Sequence, residues 1–256
     1  MARAKRRLAS RKAAKTRGPS TSHGHNGLLA AFNRDDWEFL RPFLEVVELK
    51  RGTVLYEAGD PVETVYFPHN AVVSLVAVMN DGSVAETGTI GREGFTGSET
   101  LLGNIDAANS RCLVQVAGTA SKVPLSTLRN FLDEQAHARQ LLLAYTRALF
   151  SQVLQSVACN ATHNVEERCA RWLLMTHDRA EADTFELTQE FLAVMLCVRR
   201  SSVNLVGRAF QKAGLISYSR GKITILDRVG LEGASCECYG IVRKVFEQLL
   251  PHPGTK

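Results

Sequence analysis

Long apolar runs are missing from this chain of 256 residues. None approaches the roughly 20 residues that a membrane-spanning helix needs. Behind the basic N-terminus there is no apolar stretch of the kind a secretion signal carries, so the chain reads as cytoplasmic, with no membrane partner. Cysteine is scarce and scattered. Cys112, Cys159, Cys169, Cys197, Cys236 and Cys238 lack the spacing of a disulfide framework, and a chain long enough for two cores needs none. Cys236 and Cys238 form a lone Cys-x-Cys with no matching second pair. They read as ordinary reduced thiols, and spacing alone yields no metal site. No nucleophile–base constellation and no nucleotide-phosphate loop of the usual spacing occurs, so an enzyme is not expected.

Acid is missing from residues 1–17, which carry eight Lys or Arg. Removing those eight charges from the net +5 leaves a remainder of −3, so the rest of the chain is mildly acidic. Residues 1–26 therefore read as a disordered basic tail with a polar linker at its end. Such an arm either adds non-specific attraction to phosphates or serves only solubility. Any nucleic-acid interface in the body must come from a local basic cluster.

What is present is β-rich first and helical afterwards. Leu28, Leu29, Phe32, Trp37, Leu40 and Phe43 stand at helical spacings. Short β-type runs follow at 46–49, 53–56, 64–67, 72–79, 83–90 and 112–116, punctuated by glycine turns. Asn80-Asp81-Gly82 between two of them is a hairpin signal. Many short strands with regular turns predict a jelly roll. Residues 137–159 then carry two apolar stripes, one of Leu142, Tyr145, Leu149, Val153 and Ser156, the other of Leu143, Phe150 and Val157. Two stripes on one helix suggest packing against its own domain and a second copy, a homodimer. The other reading is a helix buried wholly within one chain. A further helix is expected over 166–176, then a polar, acidic connection over 178–183.

The next segment has the pattern of a helix-turn-helix. Counting from Gln189, Leu192, Leu196, Val198, Val203 and Val206 supply the apolar positions, and Ala193 is small where the helices come closest. Thr188 suits an N-cap. The turn position holds Cys197 where glycine is common, at a modest conformational cost. The second helix, about 199–213, offers Arg199, Arg200, Ser201, Ser202, Asn204, Arg208 and Lys212 outward, with Val203, Val206 and Phe210 inward. Arg can bond guanine bidentately and Asn adenine. Arg200, Ser201 and Asn204 are therefore expected at base edges, and Arg199, Ser202, Arg208 and Lys212 at phosphates. No acid intervenes between Glu190 and Asp227. Residues 215–226 read as two strands joined at Arg220-Gly221, a wing whose Arg220 and Lys222 would lie near the DNA backbone. The partner is double-stranded DNA.

Over residues 28–226 this arrangement resembles the Crp/Fnr family of transcription regulators. The likeness rests on Leu49-Lys-Arg-Gly52-Thr-Val-Leu55 with Gly59-Asp60, on the long helix, and on Thr188 through Gly214-Leu215-Ile216, especially Phe210-Gln-Lys-Ala-Gly214. The resemblance implies an α+β fold. Its parts are a cyclic-nucleotide-binding-type jelly roll over 27–134, a dimerisation helix over 135–160, a winged helix-turn-helix over 161–232 and a C-terminal extension over 233–256. It also implies a homodimer that binds palindromic promoter sites and contacts RNA polymerase. Two departures stand out. Where well-known members place Glu-x-x-x-Arg or Glu-x-x-Ser-Arg on the recognition helix, this chain has Ser201 and Leu205.

The phosphate cassette of cyclic-AMP sensors, Gly-Glu with a downstream Arg-Ser, is answered only by Gly97-Ser98-Glu99 and Arg111-Cys112. Arg111 could hold a phosphate, but the glutamate is displaced by one and the serine is a cysteine. The expectation is therefore an effector site at Gly97, Ser98, Glu99, Arg111 and Cys112 that does not bind cyclic AMP in the usual way, or a pocket that is purely structural. An iron–sulfur cofactor is disfavoured because no cysteine precedes Cys112. A haem is not diagnosed by the seven histidines, and His69 and His163 read as structural. The competing class is a ligand-sensing module in which DNA binding is secondary.

Overall fold

The computed structural model describes residue 23 and residues 25–103, 105–180 and 182–250. The basic stretch 1–17 lies outside the described residues. Two short helices open the described chain, α1 (Gly27–Ala31) and α2 (Arg34–Leu40). Asn26 caps α1, accepting from the Leu28 and Leu29 N–H groups, and Asn33 forms a capping box with Asp36 on α2. The expectation that the linker reaches residue 26 fails here. Asn26 is fully buried, donating to the Pro68 and Gly94 carbonyls, and His23 bonds Ser121 across 2.7 Å. An amide that satisfies two backbone carbonyls and two helix N–H groups is part of a core, despite its polar sequence neighbourhood.

Seven strands follow: β1 (Glu45–Leu49), β2 (Val54–Tyr56), β3 (Thr64–Pro68), β4 (Val72–Val78), β5 (Val84–Ile90), β6 (Arg111–Val116) and β7 (Gly118–Pro124). They form two antiparallel sheets, ordered β1-β7-β3 and β2-β6-β4-β5. The Met79–Ser83 turn closes the expected β4–β5 hairpin, with Gly82 at φ 81. Strand β7 was not expected: Gly-Thr-Ala-Ser-Lys-Val-Pro has little of the branched alternation that marks a strand. Its place between β1 and β3 supplies the pairing that its own composition does not. Between the sheets lies a core that includes Phe67, Phe95, Tyr56 and Cys112.

The chain then becomes helical: α3 (Leu125–Glu134), α4 (Ala136–Thr162) and α5 (Val165–Ala180). Helix α5 runs past the expected end at 176 and takes in Asp178, read from sequence as part of a connection. Arg228 holds that last turn, reaching Asp178 at 2.6 Å. The winged unit comprises β8 (Thr184–Glu186), α6 (Gln189–Met195), α7 (Arg200–Lys212), β9 (Ile216–Ser219) and β10 (Lys222–Ile225). Its sheet is ordered β8-β10-β9, so the wing has a third strand that the sequence pattern did not reveal. Two helices end the described chain, α8 (Arg228–Ala234) and α9 (Cys238–Leu249).

Helix α5, which packs on the winged unit, joins the jelly roll and α4 through polar bonds. Gln115 donates to Thr176 at 2.8 Å, Trp172 to Glu86 at 2.6 Å, and Arg179 to Glu93 at 2.7 Å and Gln152 at 3.0 Å. Val72 and Val76 of β4 join the apolar core of the winged unit. Among the described residues, no helix is long and apolar enough to cross a membrane.

Candidate nucleic-acid interface

Helices α6 and α7 meet as the spacing requires. Thr188 accepts from the Phe191 N–H and caps α6, a contact that stabilises a helix by about 1 kcal/mol. Leu192, Ala193, Leu196, Val203, Val206 and Phe210 are all buried. Cys197 takes the turn with φ 52, a left-handed conformation in a residue that carries a Cβ. Its thiol lies 3.7 Å from the Val84 carbonyl, so the turn sits on the β4–β5 hairpin.

With that face spent on packing, the opposite face of α7 is left to solvent. Arg200, Asn204, Arg208 and Lys212 follow one another at four-residue steps and so form one stripe. Arg200, Ser201, Arg208 and Lys212 are exposed, and Ser202 and Asn204 are half-buried. Arg199 is the N-cap residue and makes no side-chain bond to the helix end. That leaves the first N–H groups of α7 and the positive end of its dipole facing outward, as a phosphate contact requires. The nearest carboxylate to Arg200 is Glu190 at 3.8 Å, and both side chains are well exposed, so solvent screens the pair and leaves the guanidinium available.

Leu205 is 72% exposed on this same face. Sequence reasoning marked it only as a departure from the family's arginine. Its side chain is thus free to meet whatever that face binds.

At the wing, Arg220 (φ 49) and Gly221 (φ 76) make the β9–β10 turn with both residues left-handed. Arg220 and Lys222 are exposed at its tip. Lys222 is loosely held by Glu186 at 3.9 Å, again in solvent. The nine basic and polar residues expected at DNA therefore belong to α7, its N-terminus and the wing.

The effector cassette is not assembled in the same manner. Gly97 has φ 73, and a Cβ there would come within 2.9 Å of Val62, so only glycine fits. It opens a 3-10 turn, Ser98–Leu101, in which Ser98 is buried. Glu99 has one carboxylate oxygen buried without a partner, and burial raises its pKa. Arg111 forms a 2.7 Å ion pair with Glu57. Cys112 is fully buried in the jelly-roll core, where burial pushes its thiol far up. The cassette's arginine is thus neutralised by a neighbouring carboxylate, and its cysteine, inside the core, offers no surface to a ligand. His69 is buried between Thr119 and Ser121 and bonded to both.

Comparison with known proteins agrees with this geometry. A Crp-like helix-turn-helix domain model matches residues 167–234, and a cyclic nucleotide-binding domain model matches residues 46–135. A search of curated proteins finds no match. Among solved structures, FixK2 from Bradyrhizobium japonicum is 16% identical with a TM-score of 0.64, covering 75% of this chain and 98% of its own. A putative Crp/Fnr regulator from Eubacterium rectale is 18% identical with a TM-score of 0.62, covering 83% and 99%. CLP of Xanthomonas campestris, described as a c-di-GMP-responsive global regulator, is 16% identical with a TM-score of 0.61, covering 76% and 100%. At these identities the structures establish a shared fold. The family's members are transcription regulators rather than enzymes. The two domain models, in this order around one long helix, place the chain in the Crp/Fnr family of DNA-binding transcriptional regulators.

Proposed function

We propose that this regulator acts in the cytoplasm as a homodimer, each protomer setting one α7 into the major groove of a two-fold symmetric promoter site. The observation that carries the reading is the pairing of two faces. One is the exposed basic stripe of α7. The other is an apolar stripe on α4 that the protomer leaves in solvent: Leu143, Phe150, Leu154 and Val157 are 38%, 61%, 55% and 65% exposed. Leu143, Phe150 and Val157 recur every seven residues with Leu154 interleaved, the repeat by which two helices pack. The other stripe, with Leu142, Tyr145 and Leu149, is buried in the protomer.

On the DNA, Arg200, Ser201 and Asn204 read base edges, and Arg199, Ser202, Arg208, Lys212, Arg220 and Lys222 hold phosphates. Leu205 packs against a thymine methyl, the one apolar feature of the major-groove edge. Contact with RNA polymerase follows from the family resemblance. The jelly roll does not take cyclic AMP in the family's usual way, because Arg111 is already paired with Glu57.

Genome-wide binding-site mapping tests the reading. A symmetric motif with half-sites about one helical turn apart is expected, and an asymmetric or absent motif overturns it. Calorimetry with cyclic AMP, cyclic GMP and cyclic di-GMP tests the jelly roll. Saturable heat from cyclic AMP would overturn that part.

A further inference from the structure

The Cys-x-Cys of residues 236–238 has no ligand-spaced partner nearby in sequence, but the fold brings it two. Cys159 lies on the last turn of α4 and His163 is the C-cap of that helix, so the two are four residues apart on one face. Cys236 and Cys238 stand at the start of α9, which packs along α4. One ligand atom from each of Cys159, His163, Cys236 and Cys238 falls within 4.8 Å of all the others. Cys159, Cys236 and Cys238 are buried, and His163 is half-buried.

We propose that Cys159, His163, Cys236 and Cys238 form a structural zinc site that fastens the C-terminal extension to the junction between α4 and α5. Two of the six ligand–ligand distances are close to the edges of a zinc tetrahedron, and all six are within 4.8 Å. Zinc–sulfur bonds of about 2.3 Å and zinc–nitrogen bonds of about 2.0–2.1 Å imply edges of about 3.8 Å between sulfurs and about 3.6 Å between sulfur and nitrogen. The Cys159 and Cys236 Sγ atoms are 3.5 Å apart, and the Cys238 Sγ is 3.6 Å from the His163 Nδ1. Three cysteines and one histidine are a ligand set that zinc favours over harder ions.

The surroundings independently point to a metal. The other ring nitrogen of His163, Nε2, is 3.2 Å from the Glu237 carboxylate. With the proton on Nε2 toward that carboxylate, the Nδ1 lone pair, which lies between the Cys238 Sγ and the Thr162 hydroxyl, is free for a metal, the carboxylate–histidine–metal arrangement of zinc sites. Gln155 donates its amide to the Cys238 Sγ at 3.0 Å, a bond that suits a thiolate better than a thiol. Zinc with three thiolates and one neutral imidazole carries a net charge of −1. Arg171 is buried, leaves its Nε unpaired, and acts electrostatically on Cys159. It supplies the positive charge that such a site would otherwise lack.

The placement gives the site a purpose. Only His163 and Asn164 separate α4 from α5, the step between the long helix and the winged unit. A ligand at that step and two at the head of α9 tie three elements at one point.

The test is the metal content of the full-length protein, purified under reducing conditions without chelator. About one zinc per protomer is expected, falling below about a tenth in Cys236→Ser/Cys238→Ser and unchanged in the Cys197→Ser control. Cobalt(II) added to chelator-stripped wild-type protein should give the visible bands of a tetrahedral thiolate site, which needs no folded variant. Iron in place of zinc overturns the assignment. So do a metal-free wild type that fails to bind cobalt, and a Cys159–Cys236 disulfide found by mass spectrometry in the reduced preparation.

Discussion

Trp172 donates its indole N–H to Glu86 across 2.6 Å, joining α5 of the DNA-binding half to β5 of the jelly roll. The other carboxylate oxygen of Glu86 is buried without a partner. Burial pushes the Glu86 pKa up to about 7, although the nearby Ser74 hydroxyl, the bond from Trp172 and the charges of Arg171 and Arg179 act the other way.

A pH dependence follows. The unfolded carboxyl titrates near 4.5 and the folded one near 7, so between those values the folded state holds more protons. Stability therefore falls as pH rises through that window and levels off above it. The loss is on the order of 3 kcal/mol. Glu86→Gln keeps an acceptor for Trp172 and cannot ionise. Its urea midpoint should fall less over the window than that of the wild type. Equal slopes in the two proteins would remove Glu86 as the cause.

The proposed dimer face can be broken without touching the protomer core, because Leu154 is 55% exposed. Leu154→Glu should leave the thermal midpoint of the monomer within a few degrees of wild type. It should weaken self-association by at least about 100-fold, since two leucines worth about 1.5–3 kcal/mol each when buried are replaced by two facing charges. Sedimentation at several concentrations measures this. A wild-type chain that stays monomeric when concentrated would defeat the dimer reading.

The base and phosphate roles proposed for α7 separate by substitution. Arg200→Ala should cost about 1–3 kcal/mol on the preferred site and relax one base position. Lys212→Ala should weaken all sequences alike and lower the salt slope by about 1. Binding titrations on the mapped site and on single-base variants, at several salt concentrations, distinguish the two. A uniform loss for Arg200→Ala would move that residue to the phosphates.

The helix-turn-helix turn carries strain that glycine would release. Cys197 has φ 52, and its side chain is exposed apart from the long contact to Val84. Cys197→Gly should raise stability by about 0.5–1 kcal/mol, the size of the left-handed penalty net of added backbone entropy. Unfolding in denaturant reads this directly. A loss of stability would mean that the contact to Val84 outweighs the strain.

Much of the DNA-binding half was legible because its determinants are local. Thr188, Ala193, Cys197, Gly214 and the Arg220-Gly221 pair act on neighbours within one turn, and the periodicity of Leu192 to Phe210 states which face is inward. Strand β7 was illegible for the opposite reason: its pairing comes from β1 and β3, not from its own side chains. Helix α5 ran on because Arg228, fifty residues later, holds Asp178.

Sequence by itself determined the order of parts, the helix-turn-helix, its outward basic residues and the two stripes of α4, because these depend on spacing along one element. Only the tertiary structure decided which α4 stripe stays in solvent, that Arg111 is paired with Glu57, that Glu86 is bonded to Trp172, and that Cys159 and His163 meet Cys236 and Cys238. Each of those joins residues more than fifty positions apart, or depends on which face a neighbouring element covers. Spacing along the chain carries no record of such contacts, since packing between elements sets them.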